Sequence, residues 1–110
     1  MNEFPKTKRL LNKNEYDNVF GQANRLITPE FIILYVNNTI GHARLGLAIS
    51  KKMVAKSHDR NRLKRLLRET FRTATLPALD IVVLAKRGVK SVRNPTLITH
   101  LNGAWSKLAG

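Results

Sequence analysis

Basic side chains are concentrated in one part of the sequence, residues 51–72. Nine of these 22 residues are Lys or Arg and only Asp59 and Glu69 oppose them, so the segment has a net charge of +7. The whole chain has 20 Lys and Arg residues against 7 Asp and Glu residues, a formal net charge of +13. Cations at this density can neutralise phosphate groups and indicate a polyanionic partner. Nucleic acid is the first candidate and an anionic membrane surface the second.

Residue types that carry out covalent or acid–base chemistry are few and scattered. The chain has no cysteine, which excludes thiol nucleophiles, disulfides and cysteine-based zinc sites. Ser57, His58 and Asp59 are the residue types of a hydrolase triad, but neighbours on one helical turn point in different directions and cannot form the relay. No pair among the seven carboxylates has metal-ligand spacing, whereas a protein nuclease clusters acids to hold Mg²⁺. We therefore expect no catalytic residues in this chain.

A helix over residues 58–74 is predicted to position the basic side chains, because at about 100° per residue it has one apolar arc and one basic arc. The apolar arc holds Leu63, Leu66, Leu67, Thr70 and Phe71, and the basic arc holds Asn61, Lys64, Arg65, Arg68 and Arg72, with Arg62 at its margin. Burial of each leucine and of the phenylalanine contributes about 1.5–3 kcal/mol and fixes the helix on a sheet. Ser57 or Asp59 is expected to cap its start.

Cations crowd the N-terminal end of this helix, where Lys56, Arg60 and Arg62 lie. The helix macrodipole already makes that end positive, so each cation costs about 0.3–1 kcal/mol there. Free helix N–H groups and cations both attract phosphate, so a costly arrangement indicates a function. The alternative is a solvated charged face, which a mixture of acidic and basic residues would favour.

Hydrophobic periodicity predicts the remaining elements. A short helix spans residues 14–20, with Asn14 as its N-cap and Gly21 as its end. Strands are predicted over residues 24–27, 31–36, 44–50 and 81–85, and a last helix runs from Pro95 to about residue 107 with Trp105 in the core. The prediction is one α+β domain over residues 1–110, a small α–β sandwich of about four strands and three helices in the order α-β-β-β-α-β-α. Residues 1–12 are expected to be flexible.

Charge alone does not choose between DNA and RNA, but the residues before the basic helix disfavour a protein that reads the major groove of DNA. The residues before the basic helix predict a strand that ends near Ser50, rather than the first helix of a helix-turn-helix motif. Aromatic residues can stack on unpaired bases, and Tyr16, Phe20 and Tyr35 are candidates for that contact. Phe31 has the same chemistry but lies in an apolar run typical of a core strand. For all four residues, a place in the core is the competing interpretation.

Apolar runs in the chain are short. The longest, Phe31-Ile32-Ile33-Leu34-Tyr35-Val36, has six residues, whereas a membrane-spanning helix needs about 20. The first six residues lack the basic-then-apolar order of a signal peptide. We therefore expect a soluble, cytoplasmic protein without a membrane partner.

The basic segment and its neighbours resemble a known family. The tripeptide Arg60-Asn61-Arg62 is followed by Leu63-Lys64-Arg65 and by Arg68-Glu69-Thr70-Phe71-Arg72. Together these residues resemble the signature of the bacterial ribonuclease P protein component. Residues 44–52 resemble the strand before that signature, residues 9–20 the family's first helix, and residues 80–86 the strand after it. The resemblance covers nearly the whole chain in the same order.

The resemblance implies a protein subunit of an endoribonuclease whose catalyst is a large RNA. That holoenzyme removes the 5′ leader of precursor tRNA by Mg²⁺-dependent hydrolysis, with the Mg²⁺ held mainly by RNA and none bound tightly to the protein. The implied partners are the catalytic RNA and precursor tRNA, and no DNA. Contacts to the catalytic RNA are implied for Lys51, Lys52, Arg60, Asn61, Arg62, Lys64, Arg65 and Arg68. The resemblance places Tyr16, Phe20 and Tyr35 in a cleft between the first helix and the sheet, where the single-stranded leader binds.

The resemblance also bears on the chain topology. General rules make a strand–helix–strand crossover through residues 58–73 right-handed when its strands are parallel. The family implies a left-handed crossover instead.

Three alternative functions follow from the same composition. A structural RNA-binding protein of the ribosomal-protein type, without a role in cleavage, shares the charge and the fold class. A DNA-binding regulator usually needs a recognition helix and a dimer interface, and the sequence shows neither signal. A peripheral membrane protein would present large apolar residues to lipid, whereas the leucines of the basic helix are needed in the core.

Overall fold

Four strands form one sheet, and three α-helices pack against it in the computed structural model, which describes residues 6–110. The helices are α1 (Lys13–Gln22), α2 (Ser57–Thr73) and α3 (Asn94–Ala109). The strands are β1 (Asn24–Ile27), β2 (Phe31–Asn37), β3 (Arg44–Ala48) and β4 (Leu79–Ala85). Short 3-10 turns, Lys6–Lys8 and Val89–Ser91, precede α1 and α3. The predicted α+β sandwich and its order α-β-β-β-α-β-α are confirmed.

The sheet has the strand order β1-β2-β4-β3, so β2 and β4 lie in its centre. β1 pairs antiparallel with β2 and β2 with β4, whereas β3 and β4 are parallel. Parallel neighbours need a crossover connection, and α2 provides it. The continuous apolar sequences of β2 and β4 fit their central positions, because strands covered on both faces need apolar side chains on both.

Successive side chains of each strand point to opposite faces of the sheet. On one face, which we call the α2/α3 face, Phe31, Ile33, Ile81 and Val83 pack against both long helices. The helices contribute Leu63, Leu67 and Phe71 from α2, and Leu97, Leu101 and Trp105 from α3. On the other face, the α1 face, the buried cluster consists of Leu34, Val36 and Val82 with Val19 of α1 and Leu10.

Trp105 joins α3 to α2, as predicted for a core residue. Its side chain is only 1 % exposed, and its ring meets Phe71 edge to face with the centroids 5.7 Å apart. The buried indole Nε1–H donates to Thr70 Oγ1 at 2.9 Å. Because a buried indole N–H requires an acceptor, this bond fixes how the two helices dock.

The crossover through α2 is left-handed, as the geometry of Leu45 shows. Its side chain lies on the α2/α3 face, and its carbonyl accepts from Leu10 N–H at 3.1 Å, on the side away from β4. In an L-residue strand that runs upward with this side chain toward the viewer, the residue's N–H and C=O point right. β4 therefore lies to the left of β3. The connection from β3 to β4 runs through α2, which lies in front of the sheet in this view, and such a connection to a strand on the left is left-handed. The general right-handed rule does not hold here.

The limits of α1 differ from the prediction. Asn12, not Asn14, is the N-cap, because its side chain accepts from Glu15 N–H at 2.9 Å while Glu15 Oε1 accepts from Asn12 N–H at 3.3 Å. This reciprocal pair is a capping box. Gly21 lies inside the helix, which continues to Gln22, so the prediction that Gly21 ends it is wrong.

The start of α2 also differs from the prediction. Its N-cap is Lys56, whose side chain makes no capping hydrogen bond, so neither Ser57 nor Asp59 takes that position. The helix begins one residue earlier than predicted and ends at Thr73.

Part of the segment expected to be flexible is held in place. Residues 1–5 lie outside the described residues, but Leu10 is buried and hydrogen-bonded to the backbone of Leu45. Arg9 forms a parallel bridge to the same residue, and the Lys6–Lys8 turn precedes it. The apolar side chain of Leu10 explains this, because its burial fixes the stretch against β3.

Candidate nucleic-acid interface

The outer face of α2 presents cations to solvent while its inner face is buried. Leu63 and Leu67 are fully buried on the α2/α3 face. On the outer face Asn61, Arg65 and Arg68 are exposed, and Lys64 is half-buried. Lys51 and Lys52 are exposed in the turn between β3 and α2. The structure therefore places Asn61, Lys64, Arg65 and Arg68 on the outer face of α2, and it leaves Lys51 and Lys52 exposed in the turn before that helix.

Few acids oppose these cations. Glu69 pairs with Arg72 at 3.0 Å, and Asp59 lies 3.4 Å from the ring of His58. Within residues 6–110, Lys64, Arg65 and Arg68 form no salt bridge. Their charges are available to an external anion.

Arg60 and Arg62 differ from the other predicted contacts, because both guanidinium groups bind the protein itself. Arg60 Nη1 donates to the carbonyls of Val54 and Ala55 at 3.0 and 2.9 Å. Arg62 donates to two carbonyls in the segment that precedes α3. Each keeps its charge near the surface, but its position is set by internal hydrogen bonds.

The hydroxyl end of the Tyr16 ring lies against β3 at Gly46, the one residue of that strand without a side chain. A Cβ atom placed on Gly46 would be 2.8 Å from two ring carbons of Tyr16. The Tyr16 hydroxyl accepts from Leu47 N–H at 3.2 Å, which satisfies a donor on the outer edge of β3. Phe20 follows one helical turn later on the same side of α1 and is 47 % exposed. The predicted pair of aromatic residues on α1 therefore shares one side of the helix.

A row of partly exposed apolar residues crosses the α1 face. Ile27 is opposite Ile32 in the sheet register, Ile32 is opposite Leu84, and Leu84 is opposite Ala48. Ile32, Leu84 and Ala48 pack against the α1-face cluster yet keep part of their surface, and Ile27 is 56 % exposed. This row is absent from the sequence-based predictions. Side chains alternate along a strand, so a buried Phe31 places Ile32 on the opposite face, and the position of Ile32 could have been predicted from the sequence in this way.

A cavity of about 90 Å³ lies between the cations of α2 and Tyr16 of α1. Lys64 and Arg68 of α2, Tyr16 of α1, Leu47 of β3 and Arg9 are among its lining residues. The basic face of α2 and the aromatic side of α1 are therefore neighbouring parts of one surface.

Tyr35 does not belong to this surface. It is paired with Ile81 and packs against the core of the α2/α3 face, on the other side of the sheet from Tyr16. The expectation that Tyr35 shares a cleft with Tyr16 and Phe20 is wrong. Alternation along β2 is the reason, because Phe31 and Tyr35 are four residues apart and must share a face.

An ion-pair network ties the start of α1 to the sheet. Arg44 donates to both carboxylate oxygens of Asp80, at 2.9 and 2.7 Å, and its Nη1 donates to Glu15 Oε2 at 2.7 Å. Asp80 is 3 % exposed. Burial alone would raise the pKa of Asp80, but hydrogen bonds from Arg44 and Asn38 and nearby positive charge outweigh it and hold the pKa below its usual value. The network thereby fixes the helix that carries Tyr16.

Carboxylates are poorly placed to hold a divalent cation. Every Asp and Glu in residues 6–110 lies beside a basic nitrogen: Asp17–Lys13 (2.7 Å), Glu15–Arg44 (2.7 Å), Asp80–Arg44 (2.7 Å), Asp59–His58 (3.4 Å), Glu69–Arg72 (3.0 Å) and Glu30–His100 (2.7 Å). No group of three His, Asp or Glu side chains in this part of the chain has the arrangement of a metal site. This donor set does not fit Mg²⁺, which prefers carboxylates free to bind it.

The sequence model of the family described as Ribonuclease P matches residues 4–109. The chain belongs to the ribonuclease P protein family. It is 55 % identical over 106 residues to the ribonuclease P protein component of Legionella pneumophila strain Corby, covering 96 % of this chain and 93 % of the relative. Identity to the ribonuclease P protein component of Escherichia coli O157:H7 is 44 %, covering 94 % and 89 % of the two chains.

Solved ribonuclease P proteins share the fold. The Staphylococcus aureus RNase P protein superposes with a TM-score of 0.84 at 25 % identity, covering 94 % of this chain and 98 % of that one. The Thermotoga maritima RNase P protein gives a TM-score of 0.80 at 26 % identity, covering 93 % and 98 %. In residues 6–110 of this chain, no helix is long and apolar enough to cross a membrane.

Proposed function

We propose that this chain is the protein subunit of a cytoplasmic ribonuclease P, in which it binds the catalytic RNA and the single-stranded 5′ leader of precursor tRNA. The RNA then carries out the Mg²⁺-dependent removal of the leader. The observation that carries the proposal is one continuous surface on which unpaired cations of α2 adjoin the aromatic side of α1. Family membership supports the assignment to ribonuclease P. The surface supports separate binding sites for the catalytic RNA and for the leader.

The cations of α2 act on the catalytic RNA. Arg65, Arg68 and Lys64 have no internal ion pair among the described residues, and Lys51 and Lys52 are exposed in the turn that precedes the helix. Side chains of this kind neutralise phosphates and release counterions, so the RNA needs less Mg²⁺ to fold and to bind substrate. Asn61 is exposed between two anchored arginines, where its amide can hydrogen-bond to RNA.

The α1 face holds the leader. Tyr16 and Phe20 offer rings for stacking on unpaired bases, and Ile32 and Leu84 offer a partly exposed apolar floor beside them. Arg68 and Lys64 stand at the edge of this groove, where they can meet the leader's phosphates. Because mature tRNA has no leader, this groove favours precursor over product.

The chain's own residues take part in binding and not in the bond cleavage. The donor set of its carboxylates does not fit Mg²⁺, so we assign the ion to the RNA. The protein acts by charge and by position: it holds the basic side chains rigidly on α2 and the leader groove beside them.

Reconstitution tests the proposal. The purified chain is mixed with a bacterial ribonuclease P RNA and a leader-bearing precursor tRNA at low Mg²⁺, and release of the leader is followed. We expect strong stimulation that vanishes when the RNA is omitted. The complete enzyme should also bind precursor tRNA more tightly than mature tRNA, and equal affinities would remove the leader groove from the proposal.

The same experiment separates the main alternative. A structural RNA-binding protein without a role in cleavage would bind the RNA in a salt-dependent way and give no stimulation. Loss of the salt dependence itself would contradict both functions.

A further inference from the structure

A second group of cations lies between β4 and α3, in residues 86–93, which we call the 86–93 segment. Four of its eight residues are basic, and none is acidic. Arg87, Lys90 and Arg93 are exposed, and none of these three forms a salt bridge with the described part of the chain. The fourth, Lys86, is half-buried, and its Nζ donates to the carbonyl of Thr28 at 2.7 Å.

The 86–93 segment has a fixed shape. Val89 is 1 % exposed and anchors the short 3-10 turn in the core. Gly88 precedes the turn with φ at 90°, a conformation that favours glycine. Lys90 and Arg93 therefore stand on an ordered support, and their charges add to one another at a defined place.

Arg62 joins this segment to the basic helix. Its Nη2 donates to Lys90 O at 3.0 Å, and its Nη1 donates to Val92 O at 3.3 Å and to the side-chain oxygen of Asn94. The guanidinium group thus joins α2 to the 86–93 segment and to the first residue of α3. It cannot hold this position and also direct all its N–H groups at RNA, so its geometry suits a positioning residue.

An open cavity of about 470 Å³ lies over this junction. Arg62, Lys90 and Arg93 line it, together with Asn94 and one acid, Asp59, whose side chain is 18 % exposed. The first turn of α3 has no acidic residue, and its N-cap, Arg93, makes no capping hydrogen bond. The positive end of the α3 macrodipole therefore adds to the cations and is not offset within its own first turn.

From this arrangement we infer that the 86–93 segment is a second phosphate-contacting surface, which takes the sugar–phosphate backbone of the catalytic RNA through Lys90 and Arg93. Arg62 positions it. RNA fits this surface because the surface is positively charged and because Arg62 connects it directly to the N-terminal part of the basic helix. Three cations around a single acid leave an excess of like charge, which destabilises a folded chain, so their retention indicates a polyanionic partner. The inference rests on the proposed function, since it extends the same RNA-binding surface.

Salt-dependent binding of the whole chain to ribonuclease P RNA tests the inference. Lys90→Gln is compared with Lys107→Gln, the same change at an exposed lysine in the last turn of α3. Lys90→Gln should weaken binding several-fold and make the log–log salt slope shallower by about 0.7–0.9, the amount for one lost phosphate contact. Lys90→Gln/Arg93→Gln should lose about twice that slope, and Lys107→Gln should change neither quantity. Equal effects of Lys90→Gln and Lys107→Gln would overturn the inference, because only total charge would then matter.

A double-mutant cycle tests the role of Arg62. If Arg62 acts through the segment, adding Arg62→Gln to Lys90→Gln/Arg93→Gln should weaken binding less than Arg62→Gln does alone in the unmodified chain. Fully additive effects would make Arg62 an independent RNA contact and contradict its positioning role. Thermal unfolding of each variant shows whether it is folded, and Arg62→Lys gives a milder change if Arg62→Gln is not.

Two further outcomes would count against a second RNA-contacting surface, and each has a different meaning. If the unmodified chain shows no salt-dependent RNA binding, the proposed function fails and the inference fails with it. If RNA binding is intact in Lys90→Gln/Arg93→Gln while binding to vesicles of phosphatidylglycerol is lost, the segment faces an anionic lipid surface and the inference is wrong.

Discussion

At the scale of single residues, the contact between Tyr16 and Gly46 determines the geometry of the proposed leader groove. The Tyr16 ring occupies the space that a side chain on β3 would fill, and its hydroxyl is held by the backbone of Leu47. The close approach works only because residue 46 has no Cβ atom. A glycine inside a strand often marks such an approach.

Gly46→Ala should therefore displace the Tyr16 ring. The new methyl group would lie 2.8 Å from two ring carbons, so either the ring or β3 must move. We expect a destabilisation of about 1–3 kcal/mol, typical of overpacking, and a reduced preference of the complete enzyme for precursor over mature tRNA. Chemical unfolding and paired binding measurements check the two effects.

Gly103→Ala is the matched control for this substitution. Gly103 lies inside α3, and apart from its chain neighbours and the adjacent helix backbone no atom in the described part of the chain lies within 4 Å of the position its Cβ would take. Alanine in a helix interior is favoured over glycine by about 0.8–1.0 kcal/mol, so this variant should be slightly more stable and keep the preference for precursor tRNA. An unchanged preference in Gly46→Ala would show that the ring position does not matter for the leader.

The Arg44–Asp80 pair makes stability depend on pH in the acid range. Because the pKa of Asp80 is lowered in the folded chain, its contribution is complete above the unfolded pKa of about 4 and is lost as pH falls through the folded pKa. Urea unfolding from pH 7 to pH 2.5 should show this loss.

Asp80→Asn leaves Arg44 partly unpaired and should lower the free energy of unfolding by about 3–5 kcal/mol at pH 7. The difference between Asp80→Asn and the unmodified chain should shrink toward acid, and a constant difference would contradict the assignment.

At the scale of elements, α2 separates its two tasks by face. Leu67 is fully buried on the α2/α3 face, whereas Arg65 is exposed on the outer face. Leu67→Ala should lower the free energy of unfolding by about 2–5 kcal/mol. Arg65→Ala should leave stability within about 0.5 kcal/mol and weaken binding to the catalytic RNA. Thermal unfolding and RNA titration of both variants check this, and intact RNA affinity in Arg65→Ala would show that the outer face is not the contact.

The elements themselves were predictable from the sequence because their signals are local. The 3.6-residue period of α2 and the apolar runs of β2 and β4 each lie within one segment, and burial agrees with them. Capping was less predictable. Asn12 and Asn14 are both suitable N-caps, and only the reciprocal bond to Glu15 decides between them.

The placement of Tyr35 shows what local signals cannot give. Alternation along β2 puts Tyr35 on the face of Phe31, but which helices cover that face depends on how distant strands pair. The same holds for Arg62, whose acceptors Lys90 and Val92 are about 30 residues away in the chain. Residue type indicates what these side chains can bind, whereas tertiary packing determines which partners they contact in the folded chain.

At the scale of the whole molecule, the sheet separates α2, which carries the cations of the proposed RNA contact, from α1, which carries the rings of the proposed leader groove. The α2/α3 face is filled by both long helices and supplies the main core, so it holds α2 rigidly. The α1 face is covered by one short helix, and the partly exposed row of Ile32, Leu84 and Ala48 remains beside it. A left-handed crossover places α2 on the face opposite α1 and next to the edge strand β3. The cations of α2 then reach around that edge to the groove, as the cavity shared by Arg68 and Tyr16 shows.

The net charge of +13 makes a last prediction about the molecule as a whole. If the chain neutralises about six phosphates, the logarithm of its RNA affinity should fall with the logarithm of salt concentration at a slope of roughly −4 to −5. Titration at several salt concentrations, with Mg²⁺ held constant, measures this slope. The slope counts only phosphates in contact, so it should be well below the net charge, because cations such as Lys13 and Arg44 are already paired with acids inside the chain. An affinity insensitive to salt would mean that the basic surface does not contact phosphate, and the electrostatic role of the protein would have to be abandoned.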